Sequence, residues 1–143
     1  MLPEKIQLDI VTPERAVLSE AVDELILPGT EGYLGVRPGH APLLTTLKVG
    51  EILIRKGNEQ NHLAVSWGFV EVLPDRVSIL AETAERAEEI DLDRAVRAKE
   101  RAENRLKSPD PDVDFRRAQV ALEKALIRIQ VASKAGAASR GEI

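Results

Sequence analysis

Residues 1–82 alternate between polar and apolar side chains in short runs. In Lys5-Ile6-Gln7-Leu8-Asp9-Ile10-Val11 the alternation has period two, the mark of a strand with one buried face. Val22-Asp23-Glu24-Leu25-Ile26-Leu27 is a second candidate and stops at Pro28-Gly29, a turn signal. Glu51-Ile52-Leu53-Ile54-Arg55 runs into Lys56-Gly57-Asn58 and is followed by His62-Leu63-Ala64-Val65-Ser66. Gly68-Phe69-Val70-Glu71-Val72-Leu73 and Arg76-Val77-Ser78-Ile79-Leu80 flank Pro74-Asp75, which predicts a tight hairpin. Many short strands at close spacing predict an antiparallel sandwich or flattened barrel.

Near Ala81 the period changes, and alanine, glutamate and arginine become frequent, a composition that favours helix. Ile90-Asp91-Leu92-Asp93 has the form of a helix start: Asp91 suits a cap, and Asp93 suits the positive end of the macrodipole. Leu92, Ala95, Val96, Ala102 and Leu106 mark an apolar stripe with small members. Ser108-Pro109-Asp110-Pro111-Asp112 must interrupt the helix, because proline cannot continue it. Asp110 or Asp112 is then expected to cap a second helix with Ala118, Leu122, Ala125, Ile129 and Ala132 on one face. The short connection predicts antiparallel helices, and the alanines predict a close seam that buries little area and can open. The expected fold is α+β: an N-terminal antiparallel β-sandwich over residues 1–84, a linker at 85–90, a C-terminal antiparallel two-helix hairpin over 91–135, and a flexible tail at 136–143.

Composition narrows the function. The chain contains no cysteine, which removes disulfides, thiolate metal sites and thiol catalysis. No run approaches the ~18 apolar residues of a bilayer span. The start, Met1-Leu2-Pro3-Glu4-Lys5, is not read as a secretory signal. Membrane association is expected only through a protein partner. Residues 1–90 carry 8 basic and 15 acidic side chains, a net of −7, whereas residues 91–143 carry 12 and 9, a net of +3. That asymmetry suggests two modules with different partners. The basic half mixes signs and has Phe115 as its only aromatic residue, so no nucleic-acid partner is expected.

No phosphate-binding G-x-x-x-x-G-K-[ST] loop and no G-x-S-x-G elbow occurs. His40 and His62 have no recognisable triad or metal partner, so no catalytic residue and no metal site is expected. Gly29, Gly32, Gly35 and Gly39 read as turns in a β-domain. On the hairpin, Arg94 and Arg101 share a face, as do Arg117, Lys124 and Arg128. Two readings fit these cations. They form a solvated face with acid-first pairs such as Asp93–Arg97, Glu103–Lys107 and Asp112–Arg116, or they converge on a cleft suited to phosphate, with Asp91 and Glu85 on the sugar, the base or a cation.

The segment Gly32-Tyr33-Leu34-Gly35-Val36-Arg37-Pro38-Gly39-His40-Ala41-Pro42-Leu43-Leu44-Thr45 resembles the E-G-x-L-G-x-x-P-G-H-A-P-L-L-T motif of F-type ATP synthase epsilon subunits (delta in mitochondria). Gly68-Phe69-Val70-Glu71-Val72 is similar to the family's G-G-F-V-E-V strand, with Trp67 where a first glycine is common. Leu8-Asp9-Ile10-Val11-Thr12-Pro13-Glu14 and Ala81-Glu82-Thr83-Ala84-Glu85 also fit, so the resemblance runs through essentially the whole chain. It implies a non-catalytic rotor subunit on the cytoplasmic face of the bacterial inner membrane, with the gamma subunit, the c-ring and the alpha/beta hexamer as partners. It implies c-ring and gamma contacts at Glu31, Tyr33, His40 and Ala41. It further implies a hairpin that inhibits ATP hydrolysis when extended, through a basic face at Arg116, Arg117, Lys124 and Arg128. No cofactor is required, but some members bind regulatory ATP, with or without Mg, on the folded hairpin through an I/L-D-x-x-R-A motif. Here that motif is Ile90-Asp91-Leu92-Asp93-Arg94-Ala95, and the remaining family positions fall on Glu85, Arg101, Lys124 and Arg128. Lys124 replaces an arginine, keeping charge but losing the planar fork. Two other readings of the residues stand beside this one: a β-sandwich and coiled-coil adaptor of another assembly, and a small hydrolase.

Overall fold

The structure is a computed structural model and describes residues 2–135. Eight strands come first: β1 (Ile6–Val11), β2 (Ala16–Val22), β3 (Glu24–Gly29), β4 (Gly32–Val36), β5 (Leu43–Leu47), β6 (Gly50–Lys56), β7 (Glu59–Leu73) and β8 (Arg76–Arg86). A 3-10 turn at Ala87–Glu89 leads to α1 (Leu92–Lys107) and α2 (Phe115–Ala132). The expected flexible tail lies outside the described residues.

The strands run in the order β2-β1-β8-β7-β5-β3-β4, with β6 joined to β3 and β7. Every pairing is antiparallel except β1 with β8. The 15 residues of β7 serve both layers of the sandwich: its first half pairs with β6 and its second half with β5. In β1 and β6 buried positions alternate with partly exposed ones, so each strand turns one side inward. Ile6, Leu8, Ile10, Leu25, Leu27, Ile52, Ile54 and Ile79 fill the space between the layers.

The layers meet at a corner in β7. Trp67 has φ 45° and Gly68 has φ 147°, and Trp67 has no register partner between Ser66↔Thr83 and Gly68↔Ala81. A Cβ on Gly68 would fall 2.0 Å from the Leu80 carbonyl oxygen, so only glycine fits. Tryptophan at a positive φ stores about 1–3 kcal/mol of strain. A glycine at position 67 would adopt this φ without that strain.

Several local expectations differ from the structure. Val22–Leu27 is not one strand, because the chain bends at Asp23 between β2 and β3. β8 continues through the alanine- and glutamate-rich segment to Arg86, where pairing with β7 overrides helix propensity. Asp91 caps α1 as expected, its carboxylate accepting the Arg94 N–H at 3.1 Å. The cap of α2 is Asp114, not Asp110 or Asp112; it accepts the Arg117 N–H at 3.1 Å. Asp110 instead accepts the Asp112 N–H at 2.9 Å in a turn that delays the helix. Of the expected stripe, Ala95, Ala102, Ala118 and Ala125 are buried and form the seam, whereas Leu92 and Val96 face outward. None of the three acid-first pairs on the hairpin closes among the described residues.

The second helix attaches the hairpin to the sandwich. Ile127, Val131 and Ala132 pack on Ala64, Ala87 and Ile90, a small cluster separate from the sandwich core.

Candidate functional site

A cleft of about 670 Å³ opens between the sandwich and the hairpin. Its charged walls come from Glu14 and Arg15 after β1, Glu82 and Glu85 on β8, and Arg94, Lys124 and Arg128 on the helices, with Thr12, Thr83 and Ala64, Val65 and Ser66 of β7 beside them. The parallel pairing of Val11 with Leu80 brings the residues after β1 alongside the second half of β8. The helix period turns Lys124 and Arg128, four residues apart, to the same inner side of α2.

Arg128 makes a bidentate pair with Glu85, Nε donating to Oε1 at 2.8 Å and Nη2 to Oε2 at 3.2 Å. Both side chains are only 23% and 32% exposed, so the pair is partly shielded from water. The Lys124 ammonium lies 4.4 Å from the centroid of the Trp67 ring, a cation–π contact. Arg94 reaches the cleft from the first turn of α1. Arg15 is held by Glu89 at 2.7 Å.

Four of the eight residues expected around a nucleotide, Glu85, Arg94, Lys124 and Arg128, therefore share one cleft. Asp91, Ile90 and Ala95 stand behind it: Asp91 fixes the start of α1, Ile90 joins the docking cluster, and Ala95 is buried in the seam. Arg101 is exposed and does not line the cleft; it lies seven residues, ~10 Å of helix, beyond Arg94. Sequence reasoning did not place Thr12, Glu14, Arg15, Glu82 or Thr83 in the walls, because none has a local spacing that points to the helices.

A second polar anchor lies past the cleft. The Glu51 carboxylate accepts Lys134 Nζ at 2.8 Å, pairs with His62 Nδ1 at 3.2 Å, and accepts Gln130 Nε2 at 3.3 Å. Burial pushes the Glu51 carboxyl up, but hydrogen bonds from Lys134 and His62 outweigh it and hold the group below its ordinary value. This anchor binds the last turn of α2 to β6 and β7.

The four basic residues expected on one face divide into two pairs. Arg116 and Arg117 are exposed in the first turn of α2, while Lys124 and Arg128 are turned into the cleft. The expected contact residues also separate. Glu31 and Tyr33 lie at the start of β4, and His40 and Ala41 lie beyond its end, with residues 34–36 of the strand, ~10 Å, between Tyr33 and the loop. His40 Nδ1 donates to the Ala41 carbonyl at 2.7 Å, and the Gly39 N–H donates to Pro74 at 2.8 Å, which ties that loop to the β7–β8 turn. Tyr33 Oη accepts the Glu51 N–H at 3.2 Å. Phe69 and Leu80 are register partners on the outer side of the sheet and are 58% and 57% exposed, and Leu44 on the neighbouring β5 is 73% exposed. Together they make an apolar row with nothing over it among the described residues.

The ATP synthase delta/epsilon chain β-sandwich domain model matches residues 5–87, and the delta/epsilon chain long α-helix domain model matches residues 88–133. The chain belongs to the ATP synthase delta/epsilon family. It is 53% identical over 135 residues to the ATP synthase epsilon chains of Geotalea uraniireducens and Geobacter sulfurreducens, covering 94% of this chain and 98% of each relative. A chain in the cryo-EM structure of the Euglena gracilis mitochondrial ATP synthase, with the c-ring, superposes with TM-score 0.80 at 26% identity, covering 93% of this chain and 84% of that one. A chain from the Tetrahymena thermophila mitochondrial ATP synthase central stalk and c-ring shares the fold, with TM-score 0.56 at 18% identity over 92% and 96% of the two chains. Membership of the epsilon family makes the chain a subunit of the synthase, and not one of its catalytic subunits. Among the described residues no helix is long and apolar enough to cross a membrane, and no cluster of three or more acidic or histidine side chains is arranged to hold a metal ion.

Proposed function

We propose that this chain is a rotor subunit of a proton-translocating F-type ATP synthase, in which the sandwich docks in the central stalk and the hairpin is a switch governed by ATP. The observation that carries the switch is the convergence of Arg94, Lys124, Arg128 and Glu85 on one cleft between the two modules. Its volume, about 670 Å³, lies within the range of small-molecule sites. Three cations from two helices suit a polyphosphate, with the arginines offering planar forks and Lys124 a point charge. Arg101 would meet the ligand only at the end of an extended side chain. Any Mg would arrive with the nucleotide.

ATP bound there would bridge both helices and the sandwich and so stabilise the folded hairpin alone. At a hundredfold excess over Kd that amounts to about 2.7 kcal/mol, enough to move a marginal equilibrium. When ATP falls, the hairpin releases, and Lys124 and Arg128 join Arg116 and Arg117 as a continuous basic face. That face meets the alpha/beta hexamer and blocks hydrolysis. In the folded state only half of it is available, which gives the switch its contrast. The apolar row at Leu44, Phe69 and Leu80 supports docking on the gamma subunit, and the Glu31–Tyr33 and His40–Ala41 edges support two separate contacts with gamma and the c-ring. The subunit is then peripheral, held on the cytoplasmic face of the inner membrane by the complex.

Calorimetric titration of the isolated chain tests the sensor. Heat at millimolar ATP that disappears in Arg94→Ala is expected. No heat in the unaltered chain removes ATP sensing and leaves family membership intact. Hydrolysis by the catalytic complex with and without residues 91–143 tests inhibition, and equal rates refute it.

A further inference from the structure

Trp67 is the only tryptophan in the chain and stands at a backbone position suited to glycine. Its ring does not enter the sandwich core. It is half-buried between the cleft and the apolar groove beside Phe69 and Leu80, and Lys124 lies over its face. Three cations on α2 and the turn after it face the sandwich: Arg128 pairs with Glu85 and Lys134 with Glu51, but among the described residues Lys124 makes no ion pair. Its partner is the indole. A strained residue that persists needs surroundings that hold it, and the contact with α2 supplies them.

We propose that Trp67 and Lys124 form a latch that holds the hairpin folded when the cleft contains no anion. The latch exists whether or not nucleotide enters. Where an anion does enter, it competes with the indole for Lys124, so Trp67 raises the docked population of the empty protein and lowers its affinity for phosphate. The pair thus sets how strongly the hairpin responds to a ligand, and Trp67 acts as a positioning residue for Lys124.

The absence of cysteine permits a direct test. Val131, buried under the docked hairpin, is replaced by cysteine, and its thiol-labelling rate is measured without nucleotide as a readout of opening. Lys124→Met and Trp67→Leu are each expected to speed labelling by about two- to fivefold, the effect of one cation–π pair. The double variant is expected to fall short of the product by the same factor. Trp67→Phe, with equal backbone strain and an aromatic face, is expected to stay closer to the unaltered protein than Trp67→Leu. Multiplying factors in the double variant, or an unchanged rate in Lys124→Met, overturns the latch. Tryptophan emission gives a second measure that needs no substitution at 67: it is expected to change in Lys124→Met, and an identical spectrum counts against the contact. A separate ATP titration of these variants distinguishes the two ideas. Loss of any ATP response with intact Trp67–Lys124 coupling removes the sensor and keeps the latch.

Discussion

Val131→Ala is expected to open the hairpin without weakening the sandwich. Val131 is fully buried, but its neighbours are Ala64, Ala87 and Ile90 in a cluster apart from the sandwich core. The substitution removes two methyl groups, worth about 0.8 kcal/mol each, or about 1.6 kcal/mol together. A residual cavity raises this to about 2.5 kcal/mol. The whole loss falls on docking, so the open population should rise roughly 15- to 60-fold. Trypsin reads that population, because Lys124 and Arg128 are turned into the cleft while the hairpin is docked. Cleavage after Arg128 should accelerate by that factor, while the melting temperature of the sandwich moves by no more than about 1 °C. Unchanged cleavage with a lowered sandwich melting temperature would show one cooperative unit and refute the division into two modules.

Three further outcomes follow from named contacts. Glu51 titrates with a depressed value in the folded chain, so its contribution is present above its ordinary value of 4.5 and is lost as pH falls through the depressed one. The Lys134 end of α2 should therefore loosen in acid below about pH 4.5, measured by hydrogen exchange near Gln130, and Glu51→Gln should loosen it at neutral pH and abolish the acid step. Asp114→Ala should cost about 1 kcal/mol and fray the first turn of α2, seen as faster exchange of the Arg117 amide, whereas Asp112→Ala should leave that amide unchanged. Gly68→Ala should destabilise the sandwich by about 3 kcal/mol or more in denaturant unfolding, since the new Cβ would meet the Leu80 carbonyl and a positive φ together.

The architecture was legible wherever one physical signal acted alone. Period two in β1, the apolar run of β6, the Pro74-Asp75 turn and the proline break after Ser108 each sufficed. β4 and β5 were not legible, because Gly32 and Gly35 in one and Thr45 and Thr46 in the other dilute the apolar alternation. The end of β8 was hidden for a different reason: its composition favours helix, and only the partner strand β7 keeps it extended. In the site, helix period put Lys124 and Arg128 on one side, but the 43-position separation of Glu85 and Arg128 carries no spacing rule. The wall at Thr12–Arg15 depends on the parallel β1–β8 pair, which strand patterns alone do not announce. Trp67 could be marked as a departure from a familiar motif. Its partner became visible only once α2 was placed against the corner of β7.

The chemistry of the docking surface fits the proposed switch, in which the helix leaves and returns. Its apolar part is small, essentially Ile127 and Val131 against two alanines and Ile90. Its remaining hold comes from Arg128 on Glu85, Lys134 on Glu51 and Lys124 on Trp67. Partly exposed ion pairs of this kind contribute modestly, because water competes for each charge when the pair separates. That same competition lowers the cost of the open state: the released cations and carboxylates are solvated at once, and little apolar surface is uncovered. A leucine-rich contact would dock more firmly, but release would expose an aggregation-prone stripe. Replacing the Glu85–Arg128 pair by Leu and Met tests this trade. The doubly altered chain should resist trypsin at Lys124 more than the unaltered protein, and should lose solubility once the hairpin is forced open by Val131→Ala. Greater trypsin sensitivity in the Leu–Met variant would show that the ion pair, and not the apolar cluster, dominates docking.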